Sequence, residues 1–260
     1  MRAWMRLSKL RVYSYYLRKC DQGIAFHPAP IGAPDCTADI AMTTTLTRAP
    51  LAQLLDRLFA QADAASSPAI AGISPLERER LMHSRTEYLG FYGLLKDLWL
   101  PVSRETGALL YMLACSSNAQ SIVEFGTSFG ISTLHLAAAL RDNGGGRLIG
   151  SEFEPSKVAG ARAHLAESGL ADLVEIRQGD ALETLARDLP ESIDLLLLDG
   201  AKALYGDILA LLESRLRPGA LVVADNAGYS PEYLARVRAP GSGYLSVPVG
   251  EDVELSMRLG

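Results

Sequence analysis

Asp199, Lys202 and Tyr205 stand close together in the run Asp199-Gly200-Ala201-Lys202-Ala203-Leu204-Tyr205, and an Asp225-Asn226 pair follows in the next segment. Two carboxylates and an amide oxygen form a hard oxygen donor set. Such a set suits Mg2+, Ca2+ or Mn2+ and suits Zn2+ poorly. Asp199 ends the apolar run 194–198, and Asp225 ends the apolar run 220–224. If those runs are adjacent strands, their ends bring Asp199, Asp225 and Asn226 together as candidate metal ligands. The plain alternative is that Asp-Gly and Asp-Asn are ordinary turn chemistry and that Lys202 is a solvated loop lysine.

A second constellation lies upstream. The apolar run 121–125 ends in Glu124-Phe125-Gly126-Thr127-Ser128-Phe129-Gly130. Gly126 permits a tight turn with close backbone approach, and Gly130 lets a following helix pack closely. The next apolar run ends at Glu152, an acid placed to accept hydrogen bonds from ribose hydroxyls. The third ends at Gly179-Asp180, suited to the exocyclic amine or ring edge of adenine. In open α/β sheets ligands bind beyond the carboxyl ends of the strands, where strand order reverses. Read blandly, Glu152 and Asp180 only cap helices. A nicotinamide dinucleotide site would more often carry G-x-G-x-x-G, with a bare helix N-terminus for its pyrophosphate. Here the spacing is G-x-x-x-G, with Glu124 two residues before the first glycine.

These residues resemble motif I and its partners in class I S-adenosylmethionine-dependent methyltransferases. Glu124 would lie beside the ammonium of the cofactor's amino-acid end. The D-x-x-K…Y run and the D-N pair are similar to the metal-dependent O-methyltransferases of the catechol and caffeoyl-coenzyme A type, over roughly residues 101–260. The resemblance implies that Asp199, Asp225 and Asn226 hold the metal, Mg2+ first among the candidates. It implies that Lys202 deprotonates the acceptor hydroxyl. Val102 and Ser132 match positions near the cofactor, so the implied cofactor residues are Val102, Glu124, Gly126, Ser132, Glu152, Asp180 and Asp199. The chemistry agrees: a phenol with a pKa of about 10 is a poor nucleophile at neutral pH. Metal coordination stabilises its oxyanion, and a lysine beside a dication loses its proton more readily. The chain departs from the family in two places. The connection after Asn226 is short, and the final turn reads Gly250-Glu251-Asp252 without the usual Asp-Gly.

These residues need a scaffold of alternating strands and helices. Leu51, Leu54, Leu55, Leu58 and Phe59 have helical spacing. Ser74-Pro75-Leu76-Glu77 reads as an N-cap, a first-turn proline and a capping-box glutamate, opening a helical region towards Trp99. Ser103 can cap the next helix. Strand–helix alternation then follows, with four consecutive leucines at 195–198 as in a strand buried on both faces. The expected fold is α/β: a Rossmann-like, seven-stranded, mostly parallel, doubly wound sheet with an antiparallel C-terminal hairpin and N-terminal helices. The expected division is a disordered extension over 1–41, a helical segment over 42–102 that forms a lid on the acceptor side, and the cofactor-binding domain over 103–260. Arg85, Tyr88, Phe91, Tyr92 and Trp99 are the lid candidates, though helical packing is the simpler reading for most of the aromatics.

The 260 residues, 48% hydrophobic, suffice for one sizeable core. A net charge of −5 argues against a nucleic-acid partner. No apolar run is long enough to span a membrane. The three cysteines form no C-x-x-C pair, so neither a disulfide framework nor a zinc site is expected, and a reducing cytoplasm fits best. The four histidines stand apart, as surface or hydrogen-bonded structural residues. Residues 1–20 carry Arg2, Arg6, Lys9, Arg11, Arg18 and Lys19 without an acid, but no apolar core of a secretory signal. The expected activity is methyl transfer to a small hydroxylated acceptor, phenolic or catechol-like. The alternatives are a tRNA wobble-uridine methyltransferase, which the resemblance brings in and the basic arm alone supports, and a relative that binds the cofactor without turnover. The resemblance also admits a homodimer, although no residue pattern here indicates one.

Overall fold

The computed structural model describes residues 44–67, 72–250 and 252–260. The extension expected over 1–41, its basic arm, Cys20, Cys36, His27 and Glu251 lie outside the described residues. Residues Thr43–Gly260 cluster as one compact unit.

Helix α1 (Leu51–Ala64) turns Leu51, Leu54, Leu55, Leu58 and Phe59 into the core. Ser74 caps α2 (Pro75–Met82) by accepting from the Glu77 amide at 3.2 Å. The reciprocal half of the expected capping box does not form, because the Glu77 carboxylate pairs with Arg80 instead. The helical region expected up to Trp99 is also interrupted. It breaks at His83 and resumes as α3 (Tyr88–Leu94), and Trp99 lies beyond the helix. Gly90, Gly93 and three aromatics in seven residues make α3 a weak helix by itself. Ser103 caps α4 (Arg104–Ser116) through the Thr106 amide at 3.0 Å, as its position suggested.

Strands and helices then alternate: β1 (Ser121–Phe125), α5 (Ile131–Asp142), β2 (Arg147–Glu152), α6 (Pro155–Ser168), β3 (Val174–Gln178), α7 (Ala181–Thr184), β4 (Ile193–Leu198), α8 (Tyr205–Leu212), β5 (Leu216–Ala224), α9 (Pro231–Arg238), β6 (Tyr244–Val249) and β7 (Val253–Arg258). The sheet order is β3-β2-β1-β4-β5-β7-β6. The first five strands run parallel, and β7 pairs antiparallel with β5 and β6. This is the doubly wound, Rossmann-like sheet with an antiparallel hairpin that the alternation implied.

Two apolar layers flank the sheet. One joins α1, α4, α5 and α6 to one face, with Val102 in its interior. The other joins α8 and α9 to the opposite face. Leu195–Leu198 contribute to both layers and are fully buried, which stabilises the centre by roughly 1.5–3 kcal/mol per side chain. Strand order reverses between β1 and β4, so their carboxyl ends open the crevice where a ligand belongs. No described helix is long and apolar enough to cross a membrane.

Candidate functional site

The glycine loop after β1 fits its place by contact as much as by turn geometry. Gly126 has φ 100°, and a Cβ there would lie 2.5 Å from the Gly200 amide nitrogen and 2.6 Å from the Asp199 carbonyl. The loop is therefore pressed against the end of β4, the segment that carries Asp199. Gly130, at φ 87°, opens α5, and a Cβ there would meet Ala161 of α6 at 3.2 Å.

Glu124 lies beneath this loop. It is fully buried and accepts from the hydroxyls of Ser132 at 2.6 Å, Thr133 at 2.5 Å and Thr127 at 3.0 Å. Burial pushes its carboxyl up to about 7, against the opposing effect of those three donors. The carboxylate expected beside a ligand's ammonium is thus spent on holding the loop together. Ser132, expected near the cofactor, lines the crevice while its hydroxyl is committed to Glu124. The anchoring threonines were not anticipated: Thr127 and Thr133 reveal themselves only once the loop folds over Glu124.

Two compartments meet at Gly126, Ser128 and Asp199. The larger encloses an empty volume of about 640 Å3, with Glu152, Gly179, Asp180, Lys157 and Phe125 on its walls. The smaller lies against Trp99, Pro101 and Ser132. Glu152 spends one oxygen on the Ser128 amide (2.8 Å) and the other on the Glu154 amide (2.9 Å). Asp180 caps α7 through the Leu182 amide at 2.9 Å and accepts the Tyr88 hydroxyl at 2.8 Å. Helix α3 therefore covers the crevice with Tyr88, Leu89 and Tyr92. Burial, then the bond to Asp180, pushes the Tyr88 hydroxyl up to about 12. Trp99 stacks on Phe129 of the glycine loop at 4.2 Å between ring centroids. Of the lid candidates, Tyr88 and Tyr92 face the crevice. Phe91 is buried, and Arg85 pairs with Asp207.

At the ends of β4 and β5, Lys202 is 8% exposed and donates to Asp199 Oδ1 (3.0 Å), the Tyr205 hydroxyl oxygen (2.8 Å) and the Asp225 carbonyl (3.3 Å). Tyr205 in turn donates to that carbonyl at 2.7 Å. The 202–205 spacing, one helical turn, stacks lysine and tyrosine on one side. Burial is the main force raising the carboxyls of both Asp199 and Asp225. For Asp225 the neighbouring Asp199 charge adds to it, while Lys202 opposes it for both. Among the described residues no group donates a hydrogen bond to the Asp225 carboxylate or to the Asn226 side chain. Asn226 has φ 49°, the left-handed region that asparagine tolerates. Asp225, Asn226 and Val102 line an outer cleft together with Arg104, Glu105 and Asp252. Val102, 1% exposed, lines the outer cleft, next to Pro101, which lines both that cleft and the smaller inner compartment.

The described residues contain no group of three or more His, Cys, Asp or Glu able to hold a metal. A cation would depend on Asp199 and Asp225 with the Asn226 amide and water. Two buried, mutually repelling carboxylates, one of them without a donor, fit a hard divalent cation in their chemistry. Buried His135 bonds the Ile131 carbonyl, and half-buried His164 the Phe129 carbonyl.

Residues 123–227 match the sequence profile of a family described as a methyltransferase domain. The chain is 36% identical over 130 residues to a catechol O-methyltransferase of Niastella koreensis, covering 49% of this chain and 58% of that protein. It is 33% identical over 127 residues to a catechol O-methyltransferase of Mycobacterium tuberculosis, covering 49% and 57%. The chain thus spans a little over half the length of these curated relatives. Among solved structures it resembles an O-methyltransferase from Streptomyces achromogenes involved in tomaymycin synthesis, in complex with S-adenosylmethionine. That match has a TM-score of 0.56, 27% identity, and covers 71% of this chain and 90% of that one. It also resembles an O-methyltransferase from Bacillus cereus in complex with S-adenosylhomocysteine, at TM-score 0.59 and 20% identity, covering 80% and 91%. The second likeness speaks for the fold alone.

Proposed function

We propose that the chain transfers a methyl group from S-adenosylmethionine to a hydroxyl of a small phenolic or catechol-like acceptor, with a divalent metal; the match of residues 123–227 to a methyltransferase domain and the likeness to catechol O-methyltransferases and to an S-adenosylmethionine-bound O-methyltransferase support this reading. One observation carries this reading. Lys202 is buried between Asp199, Tyr205 and Asp225, at the strand ends that separate the glycine-loop crevice from the outer cleft.

On this reading the cofactor occupies the crevice between Gly126, Glu152 and Asp180, and the acceptor enters from the outer cleft beside Asp225 and Asn226. A metal on Asp199, Asp225 and Asn226 would supply stabilisation of the acceptor's oxyanion. On this reading the close contact of Gly126 with Asp199-Gly200 would hold the cofactor and acceptor compartments at a fixed separation. In-line attack on a methyl group needs chiefly such positioning. Lys202, in its neutral amine form, is the group placed to take the hydroxyl proton at Nζ, becoming the ammonium. Tyr205 keeps that nitrogen oriented, since its own hydroxyl is anchored on the Asp225 carbonyl.

The test is a methyl-transfer screen of catechols, flavonoids, coenzyme A esters and bulk tRNA, with Mg2+ and with excess EDTA. Methylation of a catechol-like acceptor that disappears with EDTA is expected. Full activity in EDTA removes the metal from the reading, and methylation of tRNA alone replaces the acceptor.

A further inference from the structure

Two polar groups in the larger compartment have no hydrogen-bond partner among the described residues. Lys157, the third residue of α6, is 5% exposed, and its ammonium lies 5.7 Å from the centroid of the Phe129 ring. It lines the crevice beside Glu152, Gly179 and Asp180, and no described residue accepts a hydrogen bond from it or pairs with it as an ion. The Ser128 hydroxyl is also buried without a partner. Ser128 is held at φ 47° while its amide bonds the Glu152 carboxylate at 2.8 Å. Lys157 is largely buried and its ammonium meets only the open space of the crevice, which is costly for a charge, and burying the unpaired Ser128 hydroxyl is costly too. Glu152, Glu154, Asp97 and Asp199 ease the charge from a distance, although burial still lowers the Lys157 pKa. None of them supplies the missing hydrogen bond.

A ligand that satisfies both groups must bring oxygens able to accept, within reach of Glu152, which can only accept. Vicinal hydroxyls meet that demand, since each is at once donor and acceptor. Lys157 belongs to the compartment of the β2 and β3 ends. It is absent from the one at Trp99, Pro101 and Ser132. A lysine beside a sulfonium or an ammonium would be repelled, which also separates it from the amino-acid end of S-adenosylmethionine.

We propose that Lys157 and Ser128 are cofactor-positioning residues that bind the ribose: Lys157 Nζ donates to a ribose hydroxyl whose proton goes to Glu152, and Ser128 Oγ bonds the neighbouring hydroxyl. This rests on the reading of S-adenosylmethionine as the cofactor.

The experiment is calorimetric titration with S-adenosylhomocysteine and with its 2′-deoxy and 3′-deoxyribose analogues, on the wild type, Lys157→Met and Ser128→Ala. Lys157→Met should weaken S-adenosylhomocysteine binding about tenfold, the scale of a hydrogen bond to a charged donor. It should leave at least one deoxy analogue within about twofold of its wild-type affinity, because the bond is already missing there. Ser128→Ala should behave likewise towards one analogue, with a smaller loss. Without ligand, Lys157→Met should melt at or above the wild-type temperature, since a buried unpaired charge is gone, while its stabilisation by S-adenosylhomocysteine shrinks. Unchanged affinity for S-adenosylhomocysteine in Lys157→Met overturns the assignment. So does an equal loss for all three ligands, which marks a structural role. A wild type that binds no S-adenosylhomocysteine overturns the cofactor reading itself, and the ribose contact falls with it.

Discussion

Lys202 and Glu124 show how differently two buried charged residues are used. Lys202 has its ammonium directed at three oxygens: the Asp199 carboxylate, the Tyr205 hydroxyl and the Asp225 backbone carbonyl. Lys202→Ala should lower turnover by about 100-fold or more, the scale of a lost general base, while S-adenosylhomocysteine affinity stays within about twofold. Parallel loss of both, measured by steady-state kinetics and calorimetry, refutes the base role. Glu124 works through folding. Its carboxyl is raised from an ordinary 4.5 to about 7, so the folded protein binds more protons than the unfolded chain between those values. The Glu124 contribution to stability is therefore fully present below about pH 4.5, falls as pH rises, and is gone, on the order of 3 kcal/mol, above pH 7. Glu124→Gln removes that slope. Urea unfolding at pH 5 and pH 8 should show the variant gaining on the wild type as pH rises; parallel pH profiles would refute the account. The residue types were legible in the sequence, because an acid before a glycine loop and a Lys–Tyr turn are local patterns. The direction in which Glu124 points was not, since Thr127, Ser132 and Thr133 capture it only after α5 has packed.

At the scale of elements, the strand ends did what their order in the chain implied. Gly126 and Gly200 press β1 and β4 together, and the four leucines of β4 bury on both faces. The segment before Pro101 was less legible. Its helical pattern is weak and interrupted, and α3 is held by what it covers: the Tyr88 hydroxyl sits on Asp180, the carboxylate suited to an adenine amine. A ligand amine must compete for that oxygen. Tyr88→Phe should therefore speed S-adenosylhomocysteine association and tighten binding by about two- to tenfold, the value of one hydrogen bond. Trp99, stacked on Phe129, is a natural fluorescence reporter in stopped-flow experiments. Unchanged or weaker binding would mean that Tyr88 does not restrain the site.

At the scale of the whole molecule, the site is a seam. Inner crevice and outer cleft approach each other from opposite sides of the Asp199–Lys202–Asp225 cluster, and the antiparallel β7 lies beside β5, whose end carries Asp225. A cofactor in the inner crevice would supply hydrogen-bond partners to buried groups that have none and would tie α3 to the sheet. S-adenosylhomocysteine at about 100 times its Kd should stabilise the fold by about 2.7 kcal/mol through mass action alone, read as a rise in melting temperature. NAD at the same concentration should leave the melting temperature unchanged. The reverse pattern would favour a dinucleotide site.

The sequence by itself determined the alternation of strands and helices, the positions of the strand ends and the chemistry-bearing residues upon them. Period-two and period-3.6 patterns, caps and glycines are local signals, and the crevice of a doubly wound sheet follows from strand order. Only the tertiary structure decided which of those residues face open space. Glu124 turned inward to three hydroxyls, Val102 lines the outer cleft, and Asp180 was taken by Tyr88, while Lys157, which no sequence pattern singled out, was left in the crevice without a hydrogen-bond partner among the described residues. Each outcome depends on segments remote in the chain meeting at one place. Whether a buried polar group finds its partner among them is a property of packing, which no short window of sequence contains.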